Sequence, residues 1–149
     1  MEYETAMKKS SSLDSVRGLR VGVAYYPEQW GENRLQTDIA LMREAGIRIV
    51  RMAEFAWCRM EPSEGVFDFD WLERAVNAFG EAGIAVVLGT PTATPPAWLH
   101  QKHDIYPRDE WRRPLGFGTR LQRCLNHPMF RRHSRIITEA MAKHFSNNP

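Results

Sequence analysis

The tetrapeptide Glu-Ala-Gly-Ile occurs twice, at 44–47 and 81–84, an offset of 37 residues. Each copy leads into an apolar run, Arg48-Ile49-Val50 after the first and Ala85-Val86-Val87-Leu88 after the second. A glycine just past a helix end supplies a left-handed C-cap, and a β-branched run beyond it reads as a buried strand. A recurring helix, glycine turn and buried strand is one β/α unit of a parallel sheet. A closed barrel of eight such units needs about 250 residues, and this chain has 149. The expected fold class is therefore α/β: the N-terminal portion, about three β/α units, of a (β/α)8 TIM barrel.

The periodicity predicts strands at 19–24, 47–52 and 84–88. Helix one is expected over 32–45, with Leu35, Ile39 and Met42 on one face. Helix two is expected to start with Asp70 as N-cap and Glu73 in the capping-box position, burying Trp71, Leu72, Ala75, Val76 and Phe79. Helix three begins near His127-Pro128, with proline suited to a first turn, and ends by Phe145. The chain then reaches Asn147-Asn148-Pro149, where a fourth strand should begin. Residues 1–18 read as a disordered polar lead-in, and 19–149 as a partial catalytic-type barrel domain cut before strand four.

Composition narrows the classes. Hydrophobic content of 43% and charged content of 26% are those of a soluble globular chain, and a net charge of +2 argues for neither nucleic acid nor membrane. The polar N-terminus lacks the apolar core of a signal peptide. Two cysteines, Cys58 and Cys124, make no disulfide framework, so a cytoplasmic location is expected. Eight arginines lie between Arg108 and Arg135, but without a nucleic-acid motif they read as a solvated face with loop anchors.

In a parallel barrel the loops after the strands' C-terminal ends carry the chemistry. Here they span 25–30, 53–69 and 90–126, and hold four of the five tryptophans. Rings beside carboxylates, asparagine and arginine suit a polyhydroxylated ligand. Glu54 and Trp57 follow strand two and are candidates to line the barrel mouth; a plainer reading pairs Glu54 with an arginine and packs Trp57. Glu28 and Trp30 follow strand one, where Pro27 and its tyrosines can equally shape a turn. Asp68 and Asp70, set among Phe67, Phe69 and Trp71, read as a helix entry. His100 and His103 read as solvated. Cys124 reads as a small buried hydrophobe or, less simply, as a metal ligand.

Five strings occur in order: Tyr25-Tyr26-Pro27-Glu28-Gln29-Trp30, Arg51-Met52-Ala53-Glu54-Phe55-Ala56-Trp57, Glu61-Pro62-Ser63-Glu64-Gly65-Val66-Phe67-Asp68-Phe69, Leu88-Gly89-Thr90-Pro91-Thr92-Ala93-Thr94-Pro95-Pro96-Ala97-Trp98-Leu99 and Phe117-Gly118-Thr119-Arg120. Together they resemble glycoside hydrolase family 42, β-galactosidases with a barrel catalytic domain. The resemblance covers about 21–149. It implies retaining hydrolysis of terminal β-D-galactose, with a β-galactoside as partner, no required cofactor, and a homo-oligomeric, often trimeric, parent. The family's acid/base is the glutamate of an Asn-Glu pair ending strand four and its nucleophile lies near strand seven, so both catalytic residues are expected beyond Pro149. Arg120 matches the arginine after strand three that contacts the galactosyl unit. Cys124 matches the first ligand of a four-cysteine zinc site carried by many members, whose other ligands would follow Pro149. The alternative is a vestigial or weakly sugar-binding module without catalysis.

Overall fold

The computed structural model describes residues 21–116 and 122–146, apart from the Glu32 side chain. The expected lead-in 1–18 and the start of the first strand fall outside those residues. Three strands, β1 (Gly22–Ala24), β2 (Ile49–Met52) and β3 (Ala85–Leu88), form one parallel sheet in the order β1-β2-β3. Val23 lies opposite Val50 and Val50 opposite Val86, so successive units advance around the sheet in chain order. The helix α1 (Leu35–Glu44), entered through a 3₁₀ turn at Glu32–Arg34, joins β1 to β2. Between β2 and β3 lie a short helix α2 (Trp57–Met60) and the longer α3 (Asp70–Glu81).

Both copies of the repeat build the same turn. Gly46 and Gly83 have φ of 74° and 73°, in the left-handed region that a side chain disfavours. The Gly46 and Gly83 amides donate three residues back, to Arg43 and Gly80. The Ile47 and Ile84 amides reach five residues back, to Met42 and Phe79. This is the Schellman closure, and it turns Ile47 and Ile84, both buried, into the core at the start of each strand.

The sheet has two unlike faces. Val50 and Met52 are fully buried, and Val86 and Leu88 pack beside them against the helical layer. Gly22, Ala24, Arg51, Ala85 and Val87 share the opposite face and are exposed, Val87 at 49%. On α3, Trp71, Leu72, Ala75 and Phe79 form the buried stripe. Enclosing a side chain the size of Leu72 or Phe79 is worth about 1.5–3 kcal/mol.

Asp70 is not the cap expected of it. It is the first residue of α3, with Phe69 at the cap position, and the Asp70 amide donates to Asp68 Oδ1 at 3.2 Å. Glu73 turns away from the helix start and meets His144 Nε2 at 3.1 Å. The proline-rich stretch is also less loop-like than its composition suggests. Pro96 opens a two-turn helix, α4 (Ala97–Lys102), that buries Leu99 and His100. His100 is therefore not solvated, and its ring lies 4.6 Å from that of Tyr106. The last helix, α5 (Pro128–His144), begins where expected, with His127 Nδ1 accepting the Met129 amide at 3.2 Å.

Candidate active-site mouth

The C-terminal ends of the three strands converge on Glu54. Arg51, on the exposed face of β2, reaches it with Nη2 2.8 Å from Oε1. The Tyr26 hydroxyl, just past β1, donates to the same oxygen at 3.3 Å. Beyond β3, the Gly89 amide donates to Met52 O at 2.8 Å and brings its own Cα against Glu54. A Cβ at position 89 would stand 2.9 Å from Glu54 Cβ, so glycine is what lets the third strand approach. Ala53, immediately before Glu54, has φ of 82°, a conformation costing a non-glycine residue about 1–3 kcal/mol. Such strain persists only where the surroundings enforce it. Here it aims the following carboxylate.

The Glu54 side chain is 12% exposed, and its Oε2 is enclosed with no hydrogen-bond partner among the described residues. One oxygen is thus fixed by a guanidinium and a phenol while the other is uncommitted. Glu28, in the 3₁₀ turn Pro27–Gln29, lies close enough to sense the Glu54 charge. Burial, then its own amide and the neighbouring Glu54 carboxylate, set its acidity, with the net effect of pushing the carboxyl above its ordinary range. The plainer reading of Glu54, an ion pair with an arginine, is thus present, and the arginine is Arg51.

Trp57 does not line this mouth. Its ring is fully buried, packs 6.3 Å from Phe130 between centroids, and spends its indole N–H on Glu61 Oε2 at 2.8 Å. A ring with no accessible face cannot stack on a ligand, which corrects the expectation from sequence. Among the described residues the exposed rings are Trp30, Phe55, Phe67 and Trp111. Arg120 lies outside the described residues. Cys124 is a half-buried free thiol whose amide donates to Ile105 O at 2.7 Å. Among the described residues no group of three His, Cys, Asp or Glu side chains is placed to hold a metal. The arginine expected to pair with Glu54 is Arg51, three residues before it, whereas nothing in the sequence signals the second partner, Tyr26.

A second polar centre joins α5 to the loops. His133 is buried, with Nε2 3.7 Å from Glu64 Oε1 and its ring 5.9 Å from that of His103; Lys102 also pairs with Glu64. Burial holds the His133 imidazole below its ordinary value, outweighing the opposing Glu64 and Glu61 charges, and burial moves His100 the same way. The unfolded chain therefore takes up these protons first, near pH 6.5, so stability falls as pH drops below about 6.5 toward the folded-state values. Urea unfolding of the full-length protein at pH 7.5 and 5.5 is expected to show lower stability at the acid pH. His133→Gln should shrink that difference, and an undiminished difference would remove His133 from the account.

Three consecutive β/α units advancing in chain order form the opening segment of a (β/α)8-barrel wall, with Tyr26, Arg51 and Glu54 grouped at the strand ends. The family model described as β-galactosidase, Glyco_hydro_42, matches residues 24–149, and the chain belongs to glycoside hydrolase family 42. It is 46% identical over 132 residues to β-galactosidase BgaH of Haloferax lucentense, covering 88% of this chain and 20% of that protein. It is 44% identical over 131 residues to β-galactosidase BgaA of Clostridium cellulovorans, covering 87% and 20%. Among solved structures, the β-galactosidase of Marinomonas ef1 superposes with a TM-score of 0.83 at 37% identity, covering 88% of this chain and 20% of the other. The cold-adapted β-galactosidase of Rahnella sp. R3 gives 0.84 at 33%, covering 91% and 20%. The chain spans about a fifth of the length of the curated relatives it matches. The three-unit sheet is the N-terminal part of their barrel. No helix among the described residues is long and apolar enough to cross a membrane.

Proposed function

We propose that the full-length protein carrying this chain removes terminal non-reducing β-D-galactose from β-galactosides by a retaining double displacement. The family match over 24–149 carries the reading. In such a mechanism one carboxylic acid protonates the leaving oxygen and a second, about 5–5.5 Å away, forms a glycosyl-enzyme. Both are assigned to residues after Pro149, on the family's pattern. The role of this chain is to grip the sugar: Glu54, held by Arg51 and Tyr26, is a substrate-binding carboxylate at the strand ends, and Arg120 contacts the galactosyl unit. Cys124 would supply one thiolate to a structural zinc once three further cysteines joined it. A homo-oligomer in the cytoplasm fits the two free thiols and the family habit.

The deciding experiment follows hydrolysis of a nitrophenyl β-galactoside by the full-length protein with proton NMR. β-Galactose should appear first and mutarotate later. First release of the α-anomer would refute retention, and absence of galactose would refute the activity.

A further inference from the structure

A cavity of about 250 Å³ lies on the flank of the barrel wall, between the loop after β1, the first turn of α1, and α2 and α3. Tyr25, Trp30, Gln36 and Trp71 are the wall residues that decide what it takes. None of Tyr26, Arg51, Glu54 or Gly89 contributes to it, so it is separate from the mouth.

The charges of the wall are answered within the protein. Arg59 lies over the Trp71 ring, its guanidinium carbon 4.4 Å from the centroid, and the nearby Glu28 carboxylate meets its charge. Arg74 has a partner of its own. An ionic occupant would therefore give up its hydration with no free charge to replace it.

The polar capacity that remains is on uncharged groups. The Trp71 indole N–H is enclosed and has no acceptor among the described residues, in a side chain only 7% exposed. A buried donor without an acceptor is costly, so an oxygen carried in by an occupant is favoured there. Gln36 adds an amide that both donates and accepts. Tyr25 offers its ring alone, because its hydroxyl is spent on Asp38 Oδ2 at 3.0 Å. Trp30 lines the cavity yet is 54% exposed, so its ring is open to contact. The negative face of an indole suits the weakly positive C–H bonds of a sugar ring.

We infer that this cavity binds one neutral pyranose ring, at a site distinct from the mouth. The C–H face of the sugar lies on Trp30, one of its oxygens accepts the Trp71 N–H, and Gln36 exchanges hydrogen bonds with its hydroxyls. A purely apolar ring would leave the Trp71 donor unanswered. The volume is below the roughly 300–1,000 Å³ of pockets for drug-sized ligands, which limits the occupant to a single ring. The inference does not rest on hydrolysis.

NMR of the full-length protein with isotope-labelled tryptophan indoles tests it, by titration with D-galactose and, separately, D-glucose. The Trp71 N–H signal, assigned by its loss in Trp71→Phe, should move downfield and saturate with at least one sugar, as a new hydrogen bond requires. Trp30→Ala should weaken that binding by about tenfold, the loss expected of a stacked ring. Because Trp30 is half-exposed, its replacement leaves the core intact. D-Galacturonate should bind no more tightly than galactose, and a gain of about tenfold would overturn the neutral assignment. A Trp71 signal unmoved by both sugars up to about 50 mM, weaker than any useful site, would overturn the inference. So would a shift that Trp30→Ala leaves unaltered, by placing the sugar elsewhere.

Discussion

Purified as the 149-residue chain alone, the protein is expected to release no nitrophenol from a nitrophenyl β-galactoside above the buffer rate. Enzymes of this reaction class owe accelerations of many powers of ten to a positioned pair of carboxyl groups. Three carboxylates near the sheet and its loops are tied to structural partners. Glu54 is held by Arg51 and Tyr26, Glu61 by the Trp57 indole and the Gly65 amide, and Asp38 by Arg34 and Tyr25. Glu28 carries a raised pKa and sits beside another acid, but no second carboxyl with a matched role accompanies it. The sheet adds a physical reason. Among the described residues each of β1 and β3 pairs on one side only, and the face bearing Ala85 and Val87 is open. Unpaired edges and exposed apolar faces promote association between chains. The isolated chain should bind the dye ANS and scatter light at micromolar concentration, while the full-length protein does neither. Measurable turnover by the pure chain, or a sharp melt from a monomer, would contradict this.

What the sequence made legible was what local physics decides. The two Glu-Ala-Gly-Ile copies dictate left-handed glycines and buried isoleucines, and both copies adopt the same closure to within a degree at φ. The strand pattern and the α3 stripe follow from period alone. The failures are at places where tertiary contact overrides composition. Asp70 had the chemistry of a cap, but the Leu72 and Glu73 amides go to the Phe69 carbonyl and the Glu73 side chain is drawn to His144 on α5, 71 residues away. His100 looked solvated among prolines, yet Pro96 starts a helix that turns it inward. Trp57 looked like a ligand platform because it follows a strand end. The packing of Phe130, from the last helix, and the indole bond to Glu61 show that its ring is spoken for. At the mouth, Glu54 was visible from its place after β2. Its second holder, Tyr26, lies 28 residues earlier, a pairing that no spacing rule supplies.

Glu61→Ala is expected to cost about 3–5 kcal/mol of stability, the magnitude seen when a buried, fully bonded charged or polar group is cut out of a core. Glu61 is 1% exposed, and each of its carboxylate oxygens has a donor: Trp57 Nε1 at 2.8 Å and the Gly65 amide at 2.9 Å. Its own carbonyl accepts the Trp98 indole at 2.9 Å, which ties α4 to the same point. Truncation to alanine leaves two donors unanswered, at about 1–3 kcal/mol each, and opens a void beside Trp57 and Met60. Trp57→Phe removes one donor while retaining most of the ring. In the double variant the lost hydrogen bond is counted once rather than twice, so the two changes should couple by about 1–3 kcal/mol. Glu110→Ala, at an exposed position, serves as the control and should stay within about 0.5 kcal/mol of the parent. Thermal melts of the full-length variants measure all four. If Glu61→Ala melts with Glu110→Ala, this carboxylate does not hold the second loop to the barrel wall. The wall of the mouth, Glu54 included, would then have to be held by the strained Ala53 turn and the Arg51 pair alone.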